Sequence, residues 1–481
     1  MSGRRKEFSM AANDLVFRPS AELAPLLRAR KVSPVEVVRA FLDRIEAVNP
    51  KVNAFLTVVS ERALADARAA EREIIGGRYR GPLHGIPYAP KDMIATKGIR
   101  TTNGSRVTAD WVPGYESTIT ARLGEAGAIL LGKLNLLEFA MGSGQKGLQG
   151  PARNPWDLRY SPSGSSSGSG AAVAAGMAPL TIGSDSGGSI RGPAKSCGVV
   201  GLKPTYGRVS LYGVTTLSWT LDHVGPMGRT VADVALALQV MAGRDTLDTA
   251  SARVRVPDYS RALTGSVKGL RMGVPAEYFF DRVHPETEAA LRRAISVLKD
   301  MGVALVDVKV RDAAMCGAVS SVILGSESAA FHRKRLLEHG ETLDPLVRER
   351  LEAGTFHAAI DYIQALRLRT VLMEEMRRVF QSCDVLMTPA GNAAPLLEGE
   401  IVGTDVPPDP PPAPRPDSFN LANVTGIPAL VLPCGFTAGP PALPLGIQFC
   451  ARPFAEATLF RIGHAYQLAT EWHRRRPELN A

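Results

Sequence analysis

The sequence predicts an α/β fold, a sheet wrapped by helices on both faces, from three observations. After Gly228 strand-like and helix-like segments alternate, with residues 270–274 extended, 286–299 helical and 303–310 extended again; that order builds sheets covered on both sides. Between Gly81 and Gly228, short apolar runs such as 128–131 and 199–202 are separated by Gly, Ser and Pro clusters, the texture of buried strands joined by tight turns. Residues 21–76 carry helical periodicity instead.

The elements follow in chain order. Leu23, Leu26 and Leu27 recur at helical spacing, Ser33-Pro34 supplies an N-cap and first helical residue, and the Ala-rich stretch 60–75 stops at Gly76-Gly77. Residues 1–76 are thus expected to form a helical layer packed on a core of residues 77–481, in one compact domain. Thr230 with Asp233 three residues on reads as a capping box. A long helical region, 313–382, precedes a strand at 384–388; strands at 429–432 and 446–449 and a helix at 456–470 complete the chain. Residues 406–417, VPPDPPPAPRPD, neither pair as a central strand nor continue a helix, and read as an exposed polyproline-like loop.

Composition narrows the function classes. The chain has 481 residues, 45% of them hydrophobic, with 46 Gly and 35 Pro, enough to bury a core without disulfide or metal staples. The net charge of +9 invites a nucleic-acid reading. Yet Arg4, Arg5, Lys6, Arg474, Arg475 and Arg476 sit at the two ends, and without these six the count is 50 basic against 47 acidic residues. We therefore expect solvated tails and no nucleic-acid partner. Five scattered cysteines lack a C-x-x-C pair, which favours buried thiols in a reducing compartment over zinc or redox work. The start of the chain shows no apolar core of about 7–15 residues, and the apolar stretch 171–182 is broken by Gly176 and Pro179. A cytoplasmic protein with no membrane partner and no cofactor or metal is expected; a homodimer is left open.

Three short patterns imitate catalytic motifs. Gly127 to Lys133 fits G-x-x-x-x-G-K, but Leu134 stands where a Mg²⁺-binding hydroxyl belongs, and the interior is apolar. Ser143 to Lys146 fits S-x-x-K without the companion motifs. Gly164-Ser-Ser166-Ser-Gly168 fits the nucleophile elbow of α/β-hydrolases, which would make Ser166 the nucleophile; it lacks a preceding strand, and only His464 and His473 lie late enough beyond His357 to complete a triad.

A larger constellation outweighs them. Residues 160–176, YSPSGSSSGSGAAVAAG, run from a polar loop into an Ala-rich helix, and residues 183–198, GSDSGGSIRGPAKSCG, follow after one strand. The Gly-Gly step before Ser189 lets consecutive N–H groups converge, as an oxyanion hole requires. Lys91 ends an apolar, Pro-rich strand; burial there would lower its pKa and make it a base.

With these residues the chain resembles the amidase signature enzymes, nearly end to end. The likeness is densest in GSDSGGSIRGPAKSCGVVGLKPTYGRVS at 183–210, in LDHVGP at 221–226 and in NVTGIP at 423–428. It implies a large mixed, mostly parallel-type central sheet and a Ser–Ser–Lys triad. Ser189 matches the nucleophile, Ser165 the serine held through a cis peptide bond, and Lys91 the base. The N–H groups of Ser186, Gly187, Gly188 and Ser189 match the oxyanion hole. Asp185 and Arg191 read as a structural pair, Ser166 as a supporting hydrogen-bonding partner, and Ala140, Met141 and Gly142 as a border of the scissile group. Two departures stand out: residues 163–169, SGSSSGS, carry serines at two usual glycine positions, and Gly192 is small where a bulkier residue is common, which suggests a widened acyl pocket.

Two activities fit the resemblance. A stand-alone amidase would cleave a carboxamide, and an ester or carbamate by the same acyl-enzyme route, with a small-molecule substrate as its partner. The glutaminase subunit of a tRNA-dependent amidotransferase shares KPTYGRVS and Gly354-Thr355-Phe356. The proline-rich stretch replaces that protein's acidic segment and turns the expectation toward the free amidase. The substrate pocket is expected from the helical region 313–382 and the loop 406–417.

Overall fold

The computed structural model describes residues 12–142, 147–275, 277–281, 283–397 and 418–479. The S-x-x-K match at 143–146, the basic cluster at 4–6 and the proline-rich stretch 406–417 lie outside the described residues. Its strands are β1 (Phe55–Val58), β2 (Pro87–Pro90), β3 (Ile129–Leu130), β4 (Gly132–Leu134), β5 (Leu180–Asp185) and β6 (Val200–Lys203). They continue with β7 (His223–Gly228), β8 (Arg271–Pro275), β9 (Ala304–Val308), β10 (Val385–Pro389), β11 (Ala429–Phe436) and β12 (Pro444–Ala451).

Ten strands form one sheet, in the order β3-β2-β5-β7-β6-β11-β12-β10-β8-β9. It is mixed, as the family resemblance implies, with antiparallel pairings slightly outnumbering the parallel ones. Parallel pairings of β2 with β3 and β5, and of β8 with β9 and β10, flank an antiparallel centre. β10, β11 and β12 are buried almost throughout, as strands covered on both faces must be.

The N-terminal layer forms from Ser20–Arg28, Pro34–Val52 and Ser60–Ile75. Ser33 and Glu36 close a full capping box at the second helix, and Thr230 with Asp233 does the same for Val231–Met241. Phe41, Val48 and Leu27 join the main apolar cluster with Ile182, Val224 and Leu432 of the sheet, so layer and sheet share one core. The strand β1 interrupts this otherwise helical stretch. Asn53 takes a left-handed turn (φ 54°) that ends the helix, and the strand that follows pairs antiparallel with β4; a run that short carries no periodicity to read.

All five cysteines are buried and unpaired with one another. Among the described residues, one helical stretch, 313–342, is long and apolar enough to cross a membrane by length and composition. In the fold its main helix, Cys316–His339, packs against Pro345–Gly354 and Ala359–Ser382. The C-terminal arginines Arg474, Arg475 and Arg476 are exposed, yet two of them also lie over aromatic rings. Arg475 lies 3.8 Å from the ring centre of Phe436 and Arg476 lies 4.7 Å from that of Phe17, so aromatic faces recruit the cations.

Candidate active site

The two parallel strands β2 and β5 end side by side, and ligands of open α/β sheets gather beyond such carboxyl ends. Lys91 follows β2, its N–H bonded to Ile182 O at 2.8 Å. Its side chain is fully buried, and Nζ donates to Ser165 Oγ at 2.7 Å and to Ser184 Oγ at 2.9 Å. Burial pulls its pKa down to about 7, against the opposing pull of Asp185 and Asp222. A large fraction is therefore neutral at physiological pH and able to accept a proton.

Ser165 follows a cis peptide bond from Gly164, and its carbonyl accepts Leu137 N–H at 3.1 Å. Ser166 N–H donates to Ser189 O at 3.2 Å, which brings the second serine–glycine segment onto the first. Lys91, Ser165 and Ser189 thus converge from three separate parts of the chain. Ser166 does not stand free. Its Oγ donates to Ser184 O at 3.1 Å and accepts Ser184 N–H at 3.2 Å. Among the described residues no strand lies between β4 and Ser166, and His464 and His473 line a cavity with Phe17 and Arg229. The elbow reading has no triad to assemble.

Ser189 sits on the turn between β5 and the Arg191–Cys197 helix. Asp185 organises this turn from inside: its carboxylate accepts Gly188 N–H at 2.7 Å, Ile190 N–H at 3.0 Å, and two guanidinium bonds from Arg191 at 3.0 Å. Burial alone would raise the Asp185 pKa. The Arg191 and Lys203 charges and the Asn423 amide hold it well below the usual carboxylate range. Gly188 has φ +114°, and a Cβ there would meet the Phe419 ring at 2.5 Å, so only glycine fits. The Gly188 N–H is given to Asp185, which leaves Ser186, Gly187 and Ser189 of the four N–H groups expected to form the oxyanion hole. Ser186 is further tied by its hydroxyl to Asp222 at 2.5 Å, a carboxyl pushed up to about 6 by burial.

The pairing of Asp185 with Arg191 stands as the sequence suggests, and it is wholly buried. Arg191 also reaches Gln448 Oε1 at 2.9 Å and Phe419 O at 3.0 Å, while Asn423 Nδ2 donates to Asp185 O at 3.0 Å. The Ser418–Thr425 helix is thereby bolted to the nucleophile turn. We expect Asp185→Asn to cost about 3–5 kcal/mol of stability, because it strands a buried guanidinium; urea denaturation monitored by tryptophan fluorescence measures it.

One expectation for the acyl pocket changes. Gly192 faces no open volume, since a Cβ there would meet Ser163 Oγ at 2.9 Å. Its smallness admits the 163–164 loop, not a larger acyl group, and Gly192→Leu should lower activity alike on small and bulky amides in a matched substrate series. Ala140, Met141 and Gly142 follow closely on Leu137, whose N–H donates to Ser165 O at 3.1 Å. Their backs are held by the helical region: Arg350 donates to Met141 O, and a Cβ on Gly142 would meet Val347.

Lys133, the lysine of the G-x-x-x-x-G-K match, is a buried structural ion. It lies 3.7 Å from Asp92 and donates to Thr101 Oγ1 at 2.8 Å. Sequence reading assigned no role to Ser184, Asp222 or Asn423, although all three lie inside the segments that carry the resemblance.

Comparison with known proteins decides the family. The Amidase family model matches residues 36–460. This chain belongs to the amidase signature family. It is an enzyme of the class acting on carbon–nitrogen bonds, with that family's fold. The peptide amidase of Stenotrophomonas maltophilia is 30% identical with a TM-score of 0.83, over 95% of this chain and 98% of that one. A glutamyl-tRNA(Gln) amidotransferase subunit of Thermotoga maritima is 31% identical with a TM-score of 0.77, over 98% of both chains. The corresponding glutamyl-tRNA(Gln) amidotransferase subunit of Moorella thermoacetica is 42% identical, over 97% of this chain and 99% of the relative. That likeness overturns the expectation of a small-molecule partner alone with nucleic acid excluded. A relative matched along the whole chain is named for a tRNA and for membership of a complex, and one proline-rich segment does not outweigh it.

Proposed function

We propose that this amidase signature enzyme is the amide-cleaving subunit of a tRNA-dependent amidotransferase, releasing ammonia from glutamine. The end-to-end likeness to the Moorella amidotransferase subunit, at 42% identity, carries the reading, in preference to the free amidase. Neutral Lys91 takes a proton from Ser165, which takes one from Ser189 as its oxygen attacks the carboxamide carbon. The N–H groups of Ser186, Gly187 and Ser189 receive the developing oxyanion, each worth about 3–4 kcal/mol in such sites. The relay reverses to protonate the leaving ammonia, and water then hydrolyses the acyl-enzyme on Ser189. The Asp185–Arg191 pair keeps the turn in shape for this.

A second reading, the stand-alone amidase, draws on backbone shape: the TM-score to the peptide amidase exceeds that to the Thermotoga protein. Ammonia release distinguishes them. With glutamine, the purified chain should be nearly idle alone and at least tenfold faster with the remaining amidotransferase subunits and glutamyl-tRNA. Rapid hydrolysis of aryl or peptide amides by the chain alone, indifferent to those additions, would establish the free amidase.

A further inference from the structure

We infer that the chain carries a second small-ligand site, for a phosphate-bearing molecule of about nucleotide size, at the end of the sheet opposite the catalytic turn. The inference does not rest on the amidotransferase reading. β5 pairs with β7 so that Asp185 faces His223 at one end and Leu180 faces Gly228 at the other. The two ends lie about 17 Å apart along the strands. Beyond Gly228 opens a cavity of about 500 Å³, within the ordinary range for small-molecule sites.

The walls of this cavity are built, not incidental. Arg229 is only 8% exposed and donates to Val173 O at 2.9 Å. Gln467 is 5% exposed; its Oε1 accepts Val231 N–H at 2.8 Å, while its Nε2, a buried donor, has no acceptor among the described residues. His473 Nδ1 is likewise buried without a partner. Leaving such groups unmatched is costly, and a bound acceptor would satisfy them.

Charge points to the kind of acceptor. Three guanidiniums crowd one ring: Arg44, Arg229 and Arg476 lie 5.5, 5.1 and 4.7 Å from the centre of Phe17. Of the other basic residues on the rim, Arg18 pairs with Glu22 at 3.9 Å and Arg474 with Glu471 at 2.9 Å. Among the described residues, no carboxylate pairs with Arg229 or Arg476 within 4.0 Å; the buried Asp233 acts on Arg229 from farther off, and Asp14 and Glu22 stand on the rim. Three like charges around one ring repel one another, and a dianion reaching Arg229 and Arg476, the two that line the cavity, offsets the conflict. A phosphoryl group offers enough oxygens for both arginine forks and the Gln467 amide, and the remaining volume accommodates the rest of the molecule.

Isothermal titration calorimetry on the full chain, at constant ionic strength, tests this with inorganic pyrophosphate and with AMP. Saturable one-to-one binding is expected. It should weaken at least tenfold in Arg476→Glu, an exposed position, and in Gln467→Glu, which keeps the acceptor for Val231 N–H. Ser189→Ala should bind like the parent. Absence of saturable heat with both probes, unchanged affinity in both variants, or binding of an RNA hairpin but of neither probe would overturn the assignment.

Discussion

Lys91→Met is expected to lower kcat by at least about 10³-fold, within the range of a lost proton-transfer partner, and at the same time to make the protein more stable. The parent pays for a buried amine whose pKa falls from its ordinary 10.5 to about 7. Between those two values the unfolded chain holds a proton that the folded chain does not. Parental stability therefore climbs as pH rises from 7 towards 10.5, and it is at its lowest, as far as this group is concerned, below 7. Methionine has no proton to lose. At pH 7 the variant should be more stable by about 2–4 kcal/mol after allowing for the lost hydrogen bonds to Ser165 and Ser184. That margin should close as pH approaches 10.5. Urea denaturation at several pH values measures it, and a margin that widened with pH would contradict a neutral Lys91. The parental kcat/KM should rise with pH through about 7 and then level off.

Ser165→Ala is the second large effect, a fall in kcat of about 10²–10⁴-fold with KM little changed. Lys91 Nζ lies 2.7 Å from the Ser165 hydroxyl, the group through which it would address Ser189. Removing that oxygen leaves the base and the nucleophile in place with no hydroxyl between them. The fold should survive, because the Ser165 contact with Leu137 is made by its backbone carbonyl. Steady-state kinetics on a chromogenic amide provide the check. An equal loss in Ser184→Ala would mean that Lys91 acts through the other serine.

The fold was legible where local chemistry speaks. The N-cap at Ser33, the capping box at Thr230, the breaks at Gly76 and Gly228 and the apolar strands on either side of residue 440 all stand where the pattern puts them. β1 was not, because four residues next to a left-handed asparagine carry too little pattern. The residues of the proposed triad were readable through the family resemblance of the segments that carry them. Their supports were harder to read: Asp185 meets Asn423 across 238 residues of chain and Arg191 meets Gln448 across 257, and nothing local in the sequence announces such pairings. Gly192 shows the same limit. A small residue can mean space for a ligand or the close approach of another loop, and only the position of Ser163 tells which. The arginines at the C-terminus are exposed, but the aromatic faces in distant segments that two of them cover are invisible to a charge count.

The nucleophile is the centre of the account, and adduct mapping tests it most directly. The full chain is treated with a fluorophosphonate, digested, and the modified peptide sequenced by mass spectrometry. The phosphonyl group should sit on Ser189, be absent from Ser189→Ala, and persist in Ser166→Ala. An adduct on Ser166 that survives in Ser189→Ala would contradict the Ser189–Ser165–Lys91 assignment.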